Sequence, residues 1–391
     1  MKKKIIILGS TGSIGKTTFN IIYNNKKDFE ISLLSTNKNI VEILKQARLL
    51  NVKNIIVSSE PHYQKLKKKI KKSDIKIHKN LNTLENIIKG KIDYTMCAIS
   101  GLSGLKPTID AIKISKTIAI ANKESIICGW KFINKALIKY KTNFIPIDSE
   151  HFSIWTLLKG QSIENIKKIY LTASGGPFLN KRKSSLKNIK PQYALKHPNW
   201  KMGKKISIDS ATLMNKIFEV IEANKIFNLD ISKFKIIIHP KSYIHAIVHF
   251  KSGLVKLLAH DTNMSIPIMN SLYMNNALFN YKDKDINFEN LNGLNFMHPN
   301  INKFPVIKIL NKIKNKSTYF ETILISINDF LVAKYLKGEI NYGSISINIL
   351  KLIKRPYFTR YYKSYPKNII DIKIMIKKVN NYLNKIKFNE K

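Results

Sequence analysis

The chain has 391 residues, 44% of them apolar, a formal net charge of +43 and two cysteines, Cys97 and Cys128; that length suits two or three domains with substantial cores. The two cysteines form no CxxC pair, which excludes a disulfide framework or a cysteine zinc motif and fits a reducing cytoplasm, and no stretch nears the roughly 18 unbroken apolar residues of a membrane span. The charge raises nucleic acid as a partner, yet the arginines are only Arg48, Arg182, Arg355 and Arg360; without arginine, the residue of bidentate recognition, the lysines read as solvated charge in a chain whose excess of Lys, Ile and Asn matches AT-rich codons.

Three lysines precede Ile5–Leu8, but this apolar run is too short for a secretory signal and ends in glycines and hydroxyls rather than a cleavage site. It reads instead as a first buried strand. Further strands are expected at Glu30–Leu34, Asn54–Val57, Tyr94–Ile99, Thr117–Ala121 and Asn143–Ile147, with amphipathic stretches between them. Strands alternating with helices predict βαβ units and a parallel sheet, whose ligands sit at the carboxyl ends of the strands.

Directly after the first strand comes ILGSTGSIGKTTFN, with Gly9, Gly12 and Gly15 opening a helix. Glycine lets backbone approach a pyrophosphate, and a helix N-terminus supplies unpaired N–H groups with a partial positive charge. A glycine run also serves ordinary tight turns; its place between a strand and a helix points to a dinucleotide. The second strand ends in LLSTNKN, where an NAD-binding unit usually carries an acid for the ribose hydroxyl. Ser35, Thr36, Asn37, Lys38 and Asn39 offer hydroxyls, amides and a cation instead, which suits a 2′-phosphate and NADPH. The plain alternative for Lys38 is one more surface lysine.

At the end of the sixth strand, IPIDSEHFSIW brings Asp148 and Glu150 two residues apart. If strand geometry extends that far, both project to one face and Ser149 to the other. Paired hard oxygen ligands favour Mg²⁺ or Mn²⁺; the alternative is a loop with solvated acids.

Beyond residue 165 strands are expected at Lys167–Thr172, Phe234–Ile238, Tyr243–Phe250 and Leu254–Ala259, the last two joined by a hairpin turn at Lys251, Ser252 and Gly253. Gly175–Lys205 is long and aperiodic, as a closing lid would be, with Ser174 just ahead of its Gly-Gly-Pro hinge. Trp200 in that lid serves either as a cover for substrate or as packing. The segment HPNWKMGKKISIDSATLMNKIFEVIEANKIF adds His197, Gly203, Ser210, Asn215, Lys216 and Glu219. Ser210 is placed to open a helix, and Asn215 and Glu219 lie one turn apart. Hydroxyl, amide and ammonium donors of this kind fit a phosphate monoester. Glu219 and Glu222 are both available as a third metal ligand, and spacing does not choose between them. His239, His245 and His249 have no neighbouring Cys or carboxylate in the sequence and read as structural rather than as a zinc site. Helical spacing at Val306–Ile313, Thr322–Leu336, Ile345–Leu352 and Ile369–Ile386 predicts a C-terminal helical domain.

Taken together, GSTGSIG, ANKES, DSEH, SGGPF, HPNW.MG.KISIDSATLMNK..E and IHP.S.IH resemble, in order and spacing over about residues 1–260, the 1-deoxy-D-xylulose 5-phosphate reductoisomerase family. The resemblance implies an oxidoreductase that converts 1-deoxy-D-xylulose 5-phosphate and NADPH into 2-C-methyl-D-erythritol 4-phosphate, in non-mevalonate isoprenoid synthesis. It implies a cytoplasmic homodimer of α/β class, with a Rossmann-like NADPH domain over 1–147, an α+β catalytic and dimerisation domain over 148–288 with the lid at about 175–205, and a linker and helical domain over 289–391.

Carried over by position, Thr11, Gly12, Ser13, Ile14, Lys38, Asn39, Asn122, Glu124 and Gly203 would contact NADPH. Asp148, Glu150 and Glu219 would hold Mg²⁺ or Mn²⁺, with Co²⁺ a further candidate, which resolves the choice against Glu222. Lys123, Ser149, Glu150, Ser174, His197, Ser210, Asn215, Lys216 and Glu219 would surround the substrate, the phosphate lying against Ser174, Ser210, Asn215 and Lys216. Of the implied catalytic set Lys123, Asp148, Glu150, His197 and Glu219, the candidates for proton transfer are Glu150 and Lys123. The chain departs from the family's pattern at Asn37, Ala173 and Ile217, each where glycine is usual, and SINDFLVAKYL matches the family's asparagine-rich NAANE segment only in part. Two other readings share parts of this pattern: another metal-dependent NADP sugar-phosphate dehydrogenase, and a polyanion-binding protein on a decayed enzyme fold.

Overall fold

The computed structural model describes the chain except for residues 71–73, 82–83, 201, 275–285, 287, 316 and 389–391. It divides into two units, Met1–Phe152 with Met264–Asn280, and Ser153–Asn263 with Tyr281–Lys391.

In the first unit, β1 (Lys3–Leu8), β2 (Phe29–Thr36), β3 (Asn54–Val57), β4 (Lys76–His78), β5 (Ile92–Cys97), β6 (Ser115–Ile120) and β7 (Asn143–Pro146) form one sheet in the order β4-β3-β2-β1-β5-β6-β7. Every neighbouring pair is parallel, as the alternating pattern predicts. Only β4 was not anticipated: three residues at the sheet edge, none of them buried, carry too little apolar signal. The links are α1 (Ser13–Asn24), α2 (Ile40–Leu49), α3 (Glu60–Lys69), α4 (Leu84–Ile87), α5 (Leu105–Ile114) and α6 (Lys123–Tyr140). Ile5, Ile6, Ile7 and Leu8 are wholly buried, and each such side chain contributes about 1.5–3 kcal/mol. The sheet runs outward from β1 in both directions, through β2 on one side and β5 on the other. Such a switch point opens a crevice for ligand at the strand ends.

The glycines at this crevice have different jobs. Gly9 has φ +82, and a Cβ there would lie 2.7 Å from the Ala98 carbonyl oxygen. At Gly15 a Cβ would come within 2.2 Å of the Gly9 carbonyl oxygen, so α1 can pack this closely only without a side chain. Gly12, the N-cap of α1, is different: its φ is −80 and the nearest atom to an added Cβ is 3.5 Å away.

The expectation that Asp148 and Glu150 share a strand face is overturned. β7 stops at Pro146, and α7 (Ser149–Leu157) begins three residues later. Asp148 therefore immediately precedes α7 and Glu150 sits in its first turn, where the helix dipole favours negative charge. Pro146 has no N–H to continue a ladder.

The second unit is built on a mixed sheet, β11-β10-β8-β9, of β8 (Ile166–Ala173), β9 (Phe234–Ile238), β10 (Ile244–Phe250) and β11 (Val255–Ala259). β8 and β9 are parallel, while β10 runs antiparallel to both β8 and β11. The expected hairpin is present, with Gly253 at φ +88. The aperiodic stretch after β8 holds a 3-10 turn at Lys183–Leu186 and the single turn α8 (Pro191–Ala194) before α9 (Lys204–Ala211) and α10 (Met214–Phe227). Ser210 thus lies in the last turn of α9 rather than opening a helix. The chain turns between the two helices at Leu213, whose φ of 65 is left-handed and costs a branched residue about 1–2 kcal/mol.

The chain then returns to the first unit as α11 (Ser265–Tyr273). Tyr94 Oη and Ser271 Oγ are 2.7 Å apart, Lys3 Nζ donates to the Leu272 carbonyl at 3.0 Å, and Tyr273 Oη donates to Asp28 at 2.6 Å. The units divide the chain differently from the expected boundary at 147, because residues 148–152 and the described residues 264–274 go with the N-terminal sheet. Back in the second unit come α12 (Phe288–Asn292), a 3-10 helix at Pro305–Lys312, α13 (Tyr319–Leu336), α14 (Tyr342–Leu352), α15 (Pro356–Thr359) and α16 (Ile369–Asn384). Capping boxes start α13 (Thr318 with Glu321) and α16 (Asn368 with Asp371).

The chain beyond residue 300 also tethers the first half of the expected lid. Tyr335 Oη donates to the Ile189 carbonyl at 2.8 Å, Gly343 N to the Lys187 carbonyl at 3.2 Å, and Lys303 Nζ to the carbonyls of Leu179 and Lys181. No described helix is long and apolar enough to cross a membrane.

The two glycines of α1 should respond differently to alanine. Gly15→Ala forces a backbone clash and should lower stability by about 1–3 kcal/mol, whereas Gly12→Ala should unfold within a degree or two of the parent in a thermal melt. Equal melting temperatures for the two variants would contradict the geometry.

Candidate functional site

The first unit gathers its predicted residues at the carboxyl ends of β1, β2, β6 and β7. Gly9 N donates to Ser35 Oγ at 2.9 Å, Ser10 N to the Ser35 carbonyl at 2.9 Å, and the hydroxyls of Thr11 and Thr36 are 2.7 Å apart. The glycine loop is thus sewn to the end of β2, where the nucleotide's ribose is expected. Ser13 is exposed in the first turn of α1 and Ile14 half-buried. Because no described residue crowds Gly12, the space a side chain would take is open to a ligand at the N-terminus of a 12-residue helix. These residues fit a pyrophosphate.

Lys38 is exposed beyond β2, and Asn39 caps α2 by accepting from Glu42 N at 3.1 Å. Asn122 is 3% exposed and its side chain is already committed. Its Oδ1 accepts from Ser125 N at 2.8 Å and its Nδ2 donates to the carbonyls of Gly101 (2.7 Å) and Ile99. It caps α6 and holds the loop after β5, so what it offers a cofactor is backbone. Glu124 lies in the first turn of α6.

That cap fixes the next residue, Lys123, whose Nζ donates to Asp148 Oδ2 at 2.6 Å. On the other side of Asp148, His151 Nδ1 lies 3.6 Å from Oδ1. Burial would raise the Asp148 carboxyl, but the Lys123 ammonium and then His151 outweigh it and hold Asp148 well below the usual carboxylate range. Ser149, buried at the start of α7, donates to Glu150 Oε2 at 2.6 Å. Asp148 and Glu150 offer the hard carboxylate oxygens a divalent cation needs. The histidine of DSEH was quoted in the motif but given no role there; its place one helical turn after Asp148 is the signal that could have found it.

The second unit places Ser174, His197, Ser210, Asn215, Lys216 and Glu219 on β8, the following loops, α9 and α10. Ser174 Oγ accepts from Gly176 N at 3.0 Å and lies 3.0 Å from His197 Nε2. The other ring nitrogen, Nδ1, accepts from the backbone N–H groups of Asn199 (3.1 Å) and Trp200 (3.0 Å). Two donors on Nδ1 put the ring proton on Nε2, facing Ser174 Oγ. Burial, with Lys216 adding to it, lowers the His197 pKa to about 4. Asn199 Nδ2 holds the loop to the Pro240 carbonyl (2.6 Å) and Ser242 Oγ (3.0 Å), and the Trp200 ring meets His245 edge to face at 5.9 Å. Gly203 is exposed at the N-cap of α9.

Glu219 is 1% exposed. Asn215 Nδ2 donates to its Oε1, and Lys216 Nζ lies 2.5 Å from Oε2, so the α10 helical spacing brings amide, ammonium and carboxylate to one face as expected. Glu222 is also buried. Of the departures, Ile217 is wholly buried within an uninterrupted α10, Ala173 is the last residue of β8, and Asn37 is exposed with its Oδ1 accepting from Ser58 Oγ at 3.3 Å. None interrupts its element. His239 Nδ1 meets the Asn295 carbonyl at 3.0 Å and His245 Nε2 the His260 carbonyl at 3.0 Å.

Comparison with known proteins shows the family. The model described as 1-deoxy-D-xylulose 5-phosphate reductoisomerase matches residues 5–129, and the models for the C-terminal domain of that enzyme match 144–227 and 260–380. The chain is 53% identical over 372 residues to the 1-deoxy-D-xylulose 5-phosphate reductoisomerase of Pelagibacter ubique strain HTCC1062, covering 95% of this chain and 96% of that one. It is 39% identical to the enzyme of a Wolbachia of Drosophila simulans, with 88% of each chain covered. Among solved structures it resembles the Zymomonas mobilis reductoisomerase in complex with NADPH, with TM-score 0.85, 28% identity and coverage of 97% and 98%. It also resembles a DOX-P reductoisomerase in complex with NADPH, fosmidomycin and magnesium, with TM-score 0.88, 28% identity and coverage of 98% and 97%.

The His197 environment has a pH signature. In the ligand-free, metal-free protein the ring should stay neutral until about pH 4, while an ordinary histidine takes its proton near 6.5. The unfolded chain then binds the extra proton first, so the contribution of this residue to stability is intact above pH 6.5 and declines as the pH falls from there toward 4. Ring-carbon NMR titration should show the low midpoint, and Lys216→Met should raise it only part of the way, because burial is the larger cause. A midpoint near 6.5 in the parent protein would refute the assignment.

Proposed function

This chain belongs to the 1-deoxy-D-xylulose 5-phosphate reductoisomerase family, and on that premise we propose how its own residues divide the family's reaction. The enzyme rearranges and reduces 1-deoxy-D-xylulose 5-phosphate to 2-C-methyl-D-erythritol 4-phosphate, with NADPH and a divalent metal, in non-mevalonate isoprenoid synthesis. The observation that carries the residue assignment is the pairing of an acid with a lysine in each unit: partly buried Asp148 with Lys123, and buried Glu219 with Lys216.

Asp148, Glu150 and Glu219 are assigned as the ligands of Mg²⁺ or Mn²⁺. A bound metal supplies Lewis-acid stabilisation of the oxyanion that develops as the carbon skeleton shifts, and NADPH supplies the hydride. Ser174, Ser210, Asn215 and Lys216 take the substrate phosphate. Hydroxyls, an amide and an ammonium, with the N-terminus of α10 beside them, are donors matched to a phosphate dianion. His197, neutral and with its proton on Nε2, donates to Ser174 Oγ, which leaves the serine's own hydrogen for a phosphate oxygen.

Lys123 and Glu150 are the proton-handling candidates. Of the two, Lys123 lies against Asp148 and Glu150 accepts from Ser149, and both flank the substrate assignment made for Ser149. Gly203 and the backbone of Asn122 join Thr11, Gly12, Ser13, Ile14, Lys38, Asn39 and Glu124 on the NADPH side, with Lys38 taking the 2′-phosphate. Four hydrogen bonds from Lys303, Tyr335 and Gly343 hold the first half of 175–205 to the chain beyond residue 300 and Asn199 holds the second half to Pro240 and Ser242; this segment, with His197 and Trp200 in it, is assigned as the lid that excludes water over substrate.

The enzyme is read as a cytoplasmic homodimer whose excess lysine is solvated charge rather than a nucleic-acid surface. Both cysteines are buried thiols, in keeping with a reducing compartment. The dimer reading is supported by β11, an edge strand with Leu254, Val255 and Leu257 about half exposed beside and along it. Such an edge invites pairing with another copy.

Two experiments test these assignments. Glu219→Gln should lower turnover by ~100-fold or more while NADPH binding, followed by fluorescence, stays within twofold; turnover with the parent enzyme should vanish on chelation and return with Mg²⁺ or Mn²⁺. Retained activity in the variant would remove Glu219 from the ligand set, and loss of NADPH binding as well would point to misfolding. Separately, Val255→Lys with Leu257→Lys should shift the sedimentation mass from two chains to one, and an undiminished dimer would place the interface elsewhere.

A further inference from the structure

The phosphate assignment puts Ser210 in the last turn of α9. Two residues of the C-terminal helices hold that turn, one by a backbone carbonyl and one by a side chain. Tyr342, near the start of α14, donates its hydroxyl to the Ala211 carbonyl at 2.6 Å, and Asn328, in the middle of α13, donates to Asp209 Oδ1 at 2.7 Å. Ser210 stands between the two residues so held. Asp209 and Asn328 are 2% and 0% exposed, so these bonds lie in the core and not at a surface.

The same turn is gripped from the other side. Gly176 has φ +68, and a Cβ on it would lie 2.9 Å from Ala211 Cα and 3.2 Å from the Ser210 carbonyl oxygen. Gly176 N in turn donates to Ser174 Oγ. The positions of Ser174 and Ser210 are therefore linked through one backbone contact, and Tyr342 acts on that contact. The Tyr342 ring is itself braced edge to face by Phe178 at 5.1 Å and Tyr335 at 5.9 Å. Burial raises its phenol, which keeps the hydroxyl a donor.

Stability alone does not account for Asn328. Its Oδ1 is buried with no hydrogen-bond partner among the described residues, a cost an apolar side chain of the same size would not carry. What the amide provides is a directed hydrogen bond to the residue preceding Ser210.

We propose that Asn328 and Tyr342 are positioning residues for substrate phosphate, holding the last turn of α9 so that Ser210 stands in register with Ser174. The inference rests on the assignment of Ser210 to the phosphate. Neither residue touches substrate, and their effect passes through Asp209 and Ala211.

The test compares Tyr342→Phe, which keeps the ring and deletes one hydroxyl, with Asn328→Ala and Ser210→Ala in the full-length enzyme with NADPH and Mg²⁺. Tyr342→Phe should raise the KM for 1-deoxy-D-xylulose 5-phosphate roughly three- to tenfold, with kcat and the NADPH dissociation constant within twofold of the parent. Combined with Ser210→Ala, its effect on KM should shrink toward one, because the group it positions is gone. A purely structural role would lower melting temperature or active fraction, hence kcat, without moving KM, and that result overturns the proposal. So does an unchanged KM in both Tyr342→Phe and Asn328→Ala when Ser210→Ala raises it. If Ser210→Ala itself leaves KM unchanged, the phosphate assignment fails and the inference falls with it. Should Tyr342→Phe not fold, Asn328→Ala in the same double-variant comparison decides.

Discussion

Both units turn on one interaction, a lysine ammonium held against a carboxylate. A lone buried carboxylate takes up a proton rather than bear the desolvation cost, and at Asp148 the Lys123 ammonium opposes that and holds the carboxyl well below its usual range. In each unit a lysine close in sequence or on a neighbouring helix terminus reaches the acid: Lys123 lies 2.6 Å from Asp148 and Lys216 lies 2.5 Å from Glu219. Both lysines are also assigned to the substrate, so the ammonium that faces each acid is drawn from the set proposed to receive the anion.

Those lysines are only as well placed as the helix ends that carry them. Lys123 follows Asn122, whose amide spends its donors on the loop after β5 and its acceptor on Ser125. Lys216 follows Leu213, held in a left-handed conformation that few branched residues adopt. The strain is local and is outweighed by the almost complete burial of α10. Positioning in this protein is therefore a matter of backbone at helix termini: a glycine at the start of α1, an amide cap on α6, a left-handed turn before α10.

How much of this could be read from the sequence follows from the range of each interaction. The strands of the first sheet were legible because buried parallel strands are continuous apolar runs, as at Ile5–Leu8, and the alternation is local. The one missed strand, Lys76–His78, has no buried face to write such a run. Asp148 and Glu150 are placed on a strand by the sequence reading, which carries the apolar run past Pro146, the residue whose missing N–H ends the ladder before α7 begins. The pairing of Asn215 with Glu219 was legible because it is one helical turn. Asn122 as a cap, Gly176 against Ala211 and Tyr342 on the Ala211 carbonyl were not, since each joins residues whose nearness is decided by the tertiary fold and carries no spacing rule. The NAANE-like segment looked like weak family likeness, yet its Asn328 has a specific partner.

The return of α11 to the first unit has a consequence for how the protein is made. The N-terminal sheet is complete in sequence at Pro146, but the surfaces around Tyr94, Phe29 and Asp28 that α11 covers stay open until the chain has been synthesised through Tyr273. During translation the nucleotide-binding half waits, with an aromatic patch uncovered, while the whole second sheet is laid down. Cutting the gene after residue 152 would not release a finished domain; the first unit is a split object, closed by a piece of chain that arrives late.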